Sequence, residues 1–84
     1  MKHFTSSDFW KFYGKLPAEV QELADKNYEL LKANSRHPSL QLKRIEELWS
    51  VRVGLHTRAI GIDAPDGIQW IWIGSHAEYD MFLS

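Results

Sequence analysis

The stretch Leu-Trp-Ser-Val-Arg-Val-Gly-Leu, residues 48–55, decides the fold class of this chain. From Trp49 onward its apolar side chains occupy every second position and alternate with a serine, an arginine and a glycine. This period of two indicates a β-strand with one buried face, because successive side chains of a strand point to opposite sides of the sheet. The pattern therefore predicts a strand over residues 48–55 whose chain turns back near Gly54.

Two more strands are predicted after this one. Residues 57–62 form the returning strand. Residues 68–74 include the run Ile-Gln-Trp-Ile-Trp-Ile, which is rich in residues that favour strands. The segment Asp-Ala-Pro-Asp-Gly at 63–67 combines residues that favour tight turns and separates the two. Together the three strands predict an antiparallel meander.

The first half of the chain has a helical pattern instead. Ser6 or Ser7 can cap a short aromatic-rich helix that stops at Gly14. Pro17 suits the first position of a second helix, which is predicted to end at Asn34. Apolar residues of this second helix recur at steps of three and four and predict one buried stripe: Val20, Leu23, Ala24, Tyr28 and Leu31.

The two ends of the chain carry weaker signals. Residues 2–5 predict a short first strand, and residues 76–83 predict either a short helix or an extended arm. The whole pattern predicts an α+β fold in which two N-terminal helices pack on a small antiparallel sheet. Residues 1–84 are expected to form a single domain.

Composition limits the class of protein. Of the 84 residues, 44% are hydrophobic and 13% aromatic, which is typical of a folded chain rather than a disordered one. Cysteine is absent, so the chain has no disulfide or zinc–thiolate framework. No segment approaches the roughly 20 apolar residues of a membrane span. We therefore expect a cytoplasmic protein without a membrane partner.

Charge is distributed unevenly along the chain although its net value is only −1. Residues 36–58 carry five basic and two acidic side chains, whereas residues 59–84 carry four acidic side chains and no Lys or Arg. A local basic stripe is what a phosphate-binding surface needs. The alternative is an ordinary solvated surface whose charges happen to cluster.

Four short motifs in this order resemble the RelE/ParE toxin superfamily. They are the loop His37-Pro38-Ser39-Leu40, the strand from Trp49 to Gly54, the strand from His56 to Ile60, and the final segment from Gly74 to Asp80. The resemblance spans nearly the whole chain. It implies a bacterial toxin of a toxin-antitoxin system, in a superfamily that includes ribonucleases and gyrase poisons.

The resemblance also implies roles for individual residues. His76 matches the catalytic histidine of the ribonuclease members, and Arg58 matches their phosphate-stabilising arginine. Tyr79, or Phe82, occupies the place of an aromatic residue near the site. The implied partners are an antitoxin protein and RNA, either free or on the ribosome.

RNA can be cleaved without a metal when its 2′-hydroxyl attacks the adjacent phosphate, and these residue types suit that reaction. Imidazole titrates near neutral pH, so His76 can act as general acid or base, and His56 is a candidate second proton-transfer group. Arg58 can stabilise the charge on the phosphate. Further cations of the basic stripe are predicted to bind the substrate: Lys43, Arg44 and Arg52. No cofactor is expected, and no metal, because no histidine pair has a diagnostic ligand spacing.

Strand parity predicts which side chains share a face of the sheet. Trp70, Trp72 and His76 have the same parity, which predicts one surface that carries aromatic and imidazole groups for base stacking. Ile71 and Ile73 are then expected to face the helices. The alternative is that the two tryptophans only complete a second small core.

Two functions from different classes remain open from the sequence. The first is an endoribonuclease of the mRNA-interferase type that uses His76 and Arg58. The second is a non-catalytic module with the toxin fold, such as a ParE-like gyrase poison. Loss of activity in His76→Ala would separate them, since only the first depends on the imidazole.

Overall fold

The structure is a computed structural model that describes residues 1–83. In chain order its elements are β1 (Lys2–Thr5), α1 (Ser7–Tyr13), α2 (Ala18–Ala33), a 3₁₀ turn (Pro38–Leu40), β2 (Lys43–Ile45), β3 (Leu48–Val53), β4 (Thr57–Ala64), β5 (Gly67–Ser75) and α3 (His76–Leu83). The predicted α+β class is confirmed. The short first strand is confirmed as well, and the tail that could have been an extended arm is a helix.

The sheet has five strands in the order β1-β5-β4-β3-β2. Strands β2 to β5 pair in antiparallel fashion, but β1 runs parallel to β5, so the expectation of a purely antiparallel sheet was wrong. The close approach of β1 depends on Gly67, because a Cβ at that position would overlap the backbone of Lys2. Strand β2 was not predicted. It adds a strand to the predicted sheet, and the tail adds helix α3 to the two N-terminal helices.

The helices begin and end close to the predicted residues. The Ser6 hydroxyl accepts a hydrogen bond from the backbone N–H of Phe9 at 3.1 Å, and this caps α1. Pro17 lies one residue before α2, and the chain leaves the helix at Asn34. None of the helices in residues 1–83 has both the length and the apolar character that crossing a bilayer requires.

Helices α1 and α2 cover one side of the sheet, which we call the helical face. Its core joins Phe9 of α1 and Leu31 of α2 to alternate residues of the strands. The strand residues of this core are Val51, Val53, Ala59, Ile68, Trp70 and Ile73. Leu31 and Trp70 are only 3% and 2% exposed, so this side holds most of the close-packed apolar surface.

Polar groups on the helical face form a closed chain of hydrogen bonds around His3. The indole N–H of Trp70 donates to His3 Nδ1 at 3.1 Å, so that nitrogen carries no proton. His3 Nε2 lies 3.1 Å from the hydroxyl of Ser35, which itself donates to the carbonyl of Leu31 at 2.8 Å. The network therefore requires a neutral imidazole and ties β1 to the end of α2.

The other side of the sheet, which we call the site face, has a smaller core under α3. Ile60, Trp72 and Tyr79 are buried there. A bulge lies between Ile60 and Gly61, so that Ile60 pairs with Trp72 whereas Gly61 pairs with Trp70. The prediction that Trp70 and Trp72 share a surface was therefore wrong. Of the alternative, in which both tryptophans complete a second small core, only the part for Trp72 is confirmed, because Trp70 belongs to the core of the helical face.

Candidate functional site

The strand register places four predicted site residues on or beside the site face. Lys43 lies opposite Ser50, and Arg52 lies directly opposite Arg58. Arg52 lies between the buried Val51 and Val53, and Arg58 lies between the buried Thr57 and Ala59, so both side chains emerge on the site face, where the register also puts Lys43. His76 follows at the end of β5, as the first residue of α3.

Arg52 and Arg58 form a like-charged cross-strand pair. Residues directly opposite in an antiparallel pair have Cβ atoms about 4.5–5.5 Å apart, and two like charges in that arrangement destabilise the sheet. Arg52 donates from Nε to the carbonyl of Gly54 at 3.1 Å. Within residues 1–83 neither guanidinium forms an ion pair with a carboxylate. The pair therefore presents uncompensated positive charge.

Three neighbours surround the guanidinium of Arg58. Its Nη1 lies 3.5 Å from Oε1 of Gln41, and its Cζ lies 5.7 Å from the ring centroid of Tyr79. The residue across from Arg58 on β5 is Gly74, where a Cβ would overlap the Trp72 ring. The Trp72 ring takes up the space above Gly74, so glycine at this position lets the second small core pack beside Arg58 and the start of α3.

The position of His76 is fixed by its backbone. Ser75 and Glu78 form a reciprocal capping box: the Glu78 N–H donates to the Ser75 hydroxyl oxygen at 3.1 Å, and the Ser75 N–H donates to Glu78 Oε1 at 3.1 Å. The backbone N–H and then the hydroxyl of Ser75, both of which donate to the Glu78 carboxylate, lower the pKa of Glu78. The His76 N–H donates to the carbonyl oxygen of His56 at 2.8 Å. Helix α3 therefore starts in a set place beside the β3–β4 turn.

The imidazole of His76 is exposed and lies between two side chains of its own helix. Its ring centroid is 5.9 Å from that of Tyr79. Its Nε2 is 3.6 Å from Oδ1 of Asp80, and the two side chains are 48% and 69% exposed. The Tyr79 ring thus contacts both His76 and Arg58, so the structure brings these two groups to the same surface.

Tyr79 itself is directed into the protein. It is 5% exposed, and its hydroxyl donates to the hydroxyl of Ser50 at 2.8 Å. A phenol that is engaged in this way supports its neighbours through its ring rather than offering a proton to solvent. Phe82, the other aromatic candidate, packs on Trp72 at a centroid separation of 5.7 Å.

The remaining predicted residues are divided between the two faces. His56 is exposed in the β3–β4 turn and is joined to His76 through its backbone. Arg44 pairs in register with Trp49 on the helical face, where its guanidinium forms an ion pair with Asp63 at 2.7 Å. The structure therefore does not bring Arg44 together with Arg52 and Arg58. Among residues 1–83, no group of three His, Asp or Glu side chains is arranged to hold a metal ion.

Neither a family model nor a curated protein matches this sequence, but solved structures match its fold. The RelB-RelE antitoxin-toxin complex from Methanococcus jannaschii matches with a TM-score of 0.69 and 17% identity, over 96% of this chain and 99% of that one. This chain has the fold of the RelE/ParE toxins. The resemblance predicted from the motifs is thus confirmed for the fold.

Two further toxins support the same assignment. The YoeB/ParE toxin from Agrobacterium tumefaciens matches with a TM-score of 0.66 and 15% identity, over 90% of this chain and 99% of that one. A copper-bound mutant toxin from Helicobacter pylori matches with a TM-score of 0.62 and 16% identity, over 93% and 97% of the two chains. At these identities the similarity establishes the RelE/ParE fold alone.

Sequence reasoning missed three residues that shape the site. Gln41 contacts Arg58, Ser50 holds the Tyr79 hydroxyl, and Glu78 caps the helix that carries His76. The spacing Ser75-x-x-Glu78 is a capping-box signature and could have identified Glu78. Gln41 and Ser50 carried no comparable signal, because their roles depend on the pairing of strands that are distant in sequence.

Proposed function

We propose that this chain is a toxin-type endoribonuclease that cleaves RNA without a metal ion. The observation that carries the proposal is the pair Arg52 and Arg58, which lie directly opposite each other without an ion-pair partner in residues 1–83, with the Tyr79 ring between Arg58 and the exposed imidazole of His76. Arranging like charges in this way costs stability unless an anion binds between them. A phosphate diester is an anion that matches the fork-shaped guanidinium group.

In the proposed reaction the 2′-oxygen forms a bond to phosphorus as the bond from phosphorus to the 5′-oxygen breaks. The proton of the 2′-hydroxyl leaves with the help of an imidazole, and the 5′-oxygen receives a proton. His76 is assigned to this proton transfer, because its ring is exposed and packs on the same Tyr79 ring as Arg58. His56 is the candidate for the second transfer, since its backbone carbonyl binds the His76 N–H. The products are a 2′,3′-cyclic phosphate and a 5′-hydroxyl.

The other residues are assigned supporting roles. Arg58, with Arg52, holds the phosphate and stabilises the negative charge that develops on it. Lys43 lies on the same face, opposite Ser50, which precedes Arg52 by two residues on β3. It is assigned to the neighbouring phosphate of the RNA. The Tyr79 ring lies against both the His76 imidazole and the Arg58 guanidinium and is assigned to hold them in place. Asp80 orients the imidazole from 3.6 Å.

The proposal includes a protein partner. A fold relative from Methanococcus jannaschii is named as half of an antitoxin-toxin complex, and we extend that arrangement to this chain. An antitoxin that neutralises the proposed activity has to cover Arg52 and Arg58 or block access to His76. Binding of RNA on the ribosome is the corresponding proposal for the substrate.

The test is cleavage of a defined RNA by wild type and by His76→Ala. We expect the variant to lose cleavage while it remains folded. His37→Ala is the matched control, because His37 lies in the loop before the 3₁₀ turn and its Nδ1 accepts a hydrogen bond from the Ser39 backbone N–H. A substrate with 2′-deoxyribose at the cut site should resist cleavage. Cleavage of that substrate, or full activity of His76→Ala, would overturn the mechanism.

The alternative function is a module that blocks a macromolecule without cleaving it, such as a gyrase poison. The observation in its favour is the lack of Lys and Arg in residues 59–84, which leaves His76 beside the carboxylates of Glu78 and Asp80 in its own segment. It predicts growth inhibition and altered DNA supercoiling that persist in His76→Ala. RNA transcripts would then stay intact during induction.

A further inference from the structure

A cluster of three side chains lies on the helical face at the edge of the sheet, and we call Arg44, Trp49 and Asp63 the edge cluster. The guanidinium of Arg44 donates two parallel hydrogen bonds to the Asp63 carboxylate, at 3.0 and 2.7 Å. The indole N–H of Trp49 donates to the same carboxylate at 2.9 Å, and Arg44 Cζ lies 5.6 Å from the Trp49 ring. These contacts link β2, β3 and β4 in one unit.

Strand β2 is held by few other contacts: Leu42, just before it, packs against the larger core, and Ile45 packs against the smaller one. It has three residues, stands at the end of the sheet and pairs with β3 alone. The residues Gln41 and Glu46, on either side of it, have φ angles of 46° and 55°, in the left-handed region that costs a non-glycine residue about 1–2 kcal/mol. Arg44 also donates from Nε to the Glu46 carbonyl at 3.0 Å, so the edge cluster reaches the turn as well.

The residues next to Arg44 supply contacts to the proposed RNA site. Successive side chains of a strand point to opposite faces, so fixing Arg44 on the helical face directs Lys43 to the site face, where it lies opposite Ser50. Gln41, two residues before Lys43, contacts Arg58. Movement of β2 would therefore displace two groups from the site at once.

We propose that the edge cluster positions β2 and thereby sets the place of Lys43 in the RNA-binding surface. The inference rests on the proposed ribonuclease function and adds positioning residues on the side of the sheet that RNA does not touch. Arg44 then acts through Lys43 instead of binding the substrate itself. The carboxylate of Asp63 is the centre of the arrangement because it accepts from both Arg44 and Trp49.

The direction in which one substitution changes the affinity for RNA separates positioning from simple electrostatics. Asp63→Asn removes a negative charge, and on electrostatic grounds alone a protein with one fewer negative charge binds RNA more tightly. Positioning predicts weaker binding, since the paired hydrogen bonds to Arg44 are lost and Lys43 is no longer held. Asp66→Asn is the matched control: it makes the same charge change three residues away, at a left-handed position that asparagine tolerates.

The experiment measures binding of single-stranded RNA over a range of salt concentrations. Each phosphate contact contributes about 0.7 to the slope of log affinity against log salt for single strands. We expect Asp63→Asn and Lys43→Ala each to lower the slope by about 0.7, which is a loss of about fivefold in affinity at 0.1 M salt. The double variant should lose no more than either single one, and Asp66→Asn should bind at least as tightly as wild type.

A second variant and a second measurement guard against a general loss of structure. Trp49→Phe removes one donor to Asp63 and retains an aromatic ring, so we expect a smaller loss of affinity in the same direction. Amide hydrogen exchange should increase in β2 in both variants and remain unchanged in β5.

The outcomes discriminate between the two proposals. If wild type binds RNA but Asp63→Asn binds as well as Asp66→Asn, or if its effect adds to that of Lys43→Ala, the edge cluster does not act through Lys43. If wild type shows no binding of RNA, the ribonuclease proposal fails, and the positioning role fails with it.

Discussion

The two faces of the sheet differ in whether their polar groups have partners. On the helical face His3 is enclosed by Trp70, Ser35 and the α2 backbone, so that each hydrogen-bonding atom of its ring has a partner. On the site face Arg52 and Arg58 lie opposite each other, and neither forms an ion pair with a carboxylate of residues 1–83. The first arrangement favours folding, whereas the second opposes folding unless an anion is bound. The difference indicates that the helical face stabilises the protein, and it supports the proposal that the site face binds an anion.

The largest expected effect tests the helical face. Trp70 is 2% exposed in its core, so Trp70→Ala should lower the free energy of unfolding by about 3–5 kcal/mol. Trp10 is 49% exposed and makes one hydrogen bond to Thr5, so Trp10→Ala should cost about 1 kcal/mol. Urea denaturation followed by circular dichroism measures both. If the two substitutions lowered the free energy of unfolding equally, the core of the helical face would stabilise the protein no more than its exposed surface does.

The next effect tests the site face. Arg58→Gln should lower the rate of RNA cleavage about 10²–10³-fold, because a charge-stabilising donor is lost. Its melting temperature should stay the same or rise slightly, since one of two opposed like charges is removed. Arg36→Gln, at an exposed loop position, is the control for net charge. A clear fall in the stability of Arg58→Gln would mean that the arginine pair is structural.

A smaller effect tests whether Tyr79 supports the site or takes part in proton transfer. Tyr79→Phe removes the hydrogen bond to Ser50 and should cost about 1 kcal/mol of stability. The rate of RNA cleavage should remain within about threefold of wild type, because the ring between Arg58 and His76 is kept. Loss of a proton-transfer group would instead lower that rate about 10²–10⁴-fold. Single-turnover kinetics on one RNA substrate measure the difference. A loss of about 10²-fold or more would show that the Tyr79 hydroxyl takes part in proton transfer.

The smallest effect concerns pH and His3. Burial, and then the N-terminal ammonium group, lower the pKa of His3 below its usual value. The unfolded chain therefore binds a proton near pH 6.5 while the folded chain still excludes it, so stability falls as the pH drops through that value towards the folded pKa. The groups around the ring are the N-terminal ammonium, Ser35, Trp70 and the Tyr28 hydroxyl, which lies 3.3 Å from the His3 carbonyl oxygen.

The measurement is the free energy of unfolding at pH 7.5 and pH 5.5, a range in which carboxylates stay ionised in both states. We expect His3→Gln to be less stable than wild type at pH 7.5 and to lose less of its stability on acidification. The same dependence on pH in both proteins would show that the enclosed imidazole does not titrate with folding.

Much of the fold could be predicted because its signals are local. The alternation in 48–55, the turn residues at 63–67 and the three- and four-residue steps of α2 each lie within one element. Strand β2 has only three residues, which is too short to show a period. The parallel pairing of β1 joins segments far apart in sequence, and no local pattern encodes its direction.

The site was predicted less completely because the face of a side chain depends on register. Lys43 and Arg44 are neighbours in one basic stripe, yet they emerge on opposite sides of the sheet. The bulge beside Gly61 separates Trp70 from Trp72, although their spacing is that of one face. An isolated glycine within a strand is a signal for a bulge, and Gly61 was available as that signal.

The parallel pairing of β1 with β5 has a consequence for how the chain folds. Gly67 follows its partner Lys2 by 65 residues, and closing a flexible loop of that length costs about 4 kcal/mol of chain entropy. Strands β2 to β5 are linked in sequence order by short turns, so their contacts can form earlier. We therefore expect the cross-strand contact of Arg52 and Arg58 to form before the first strand docks. Substitutions at Lys2 and Gly67 should then mainly raise the rate of unfolding and change the rate of folding little.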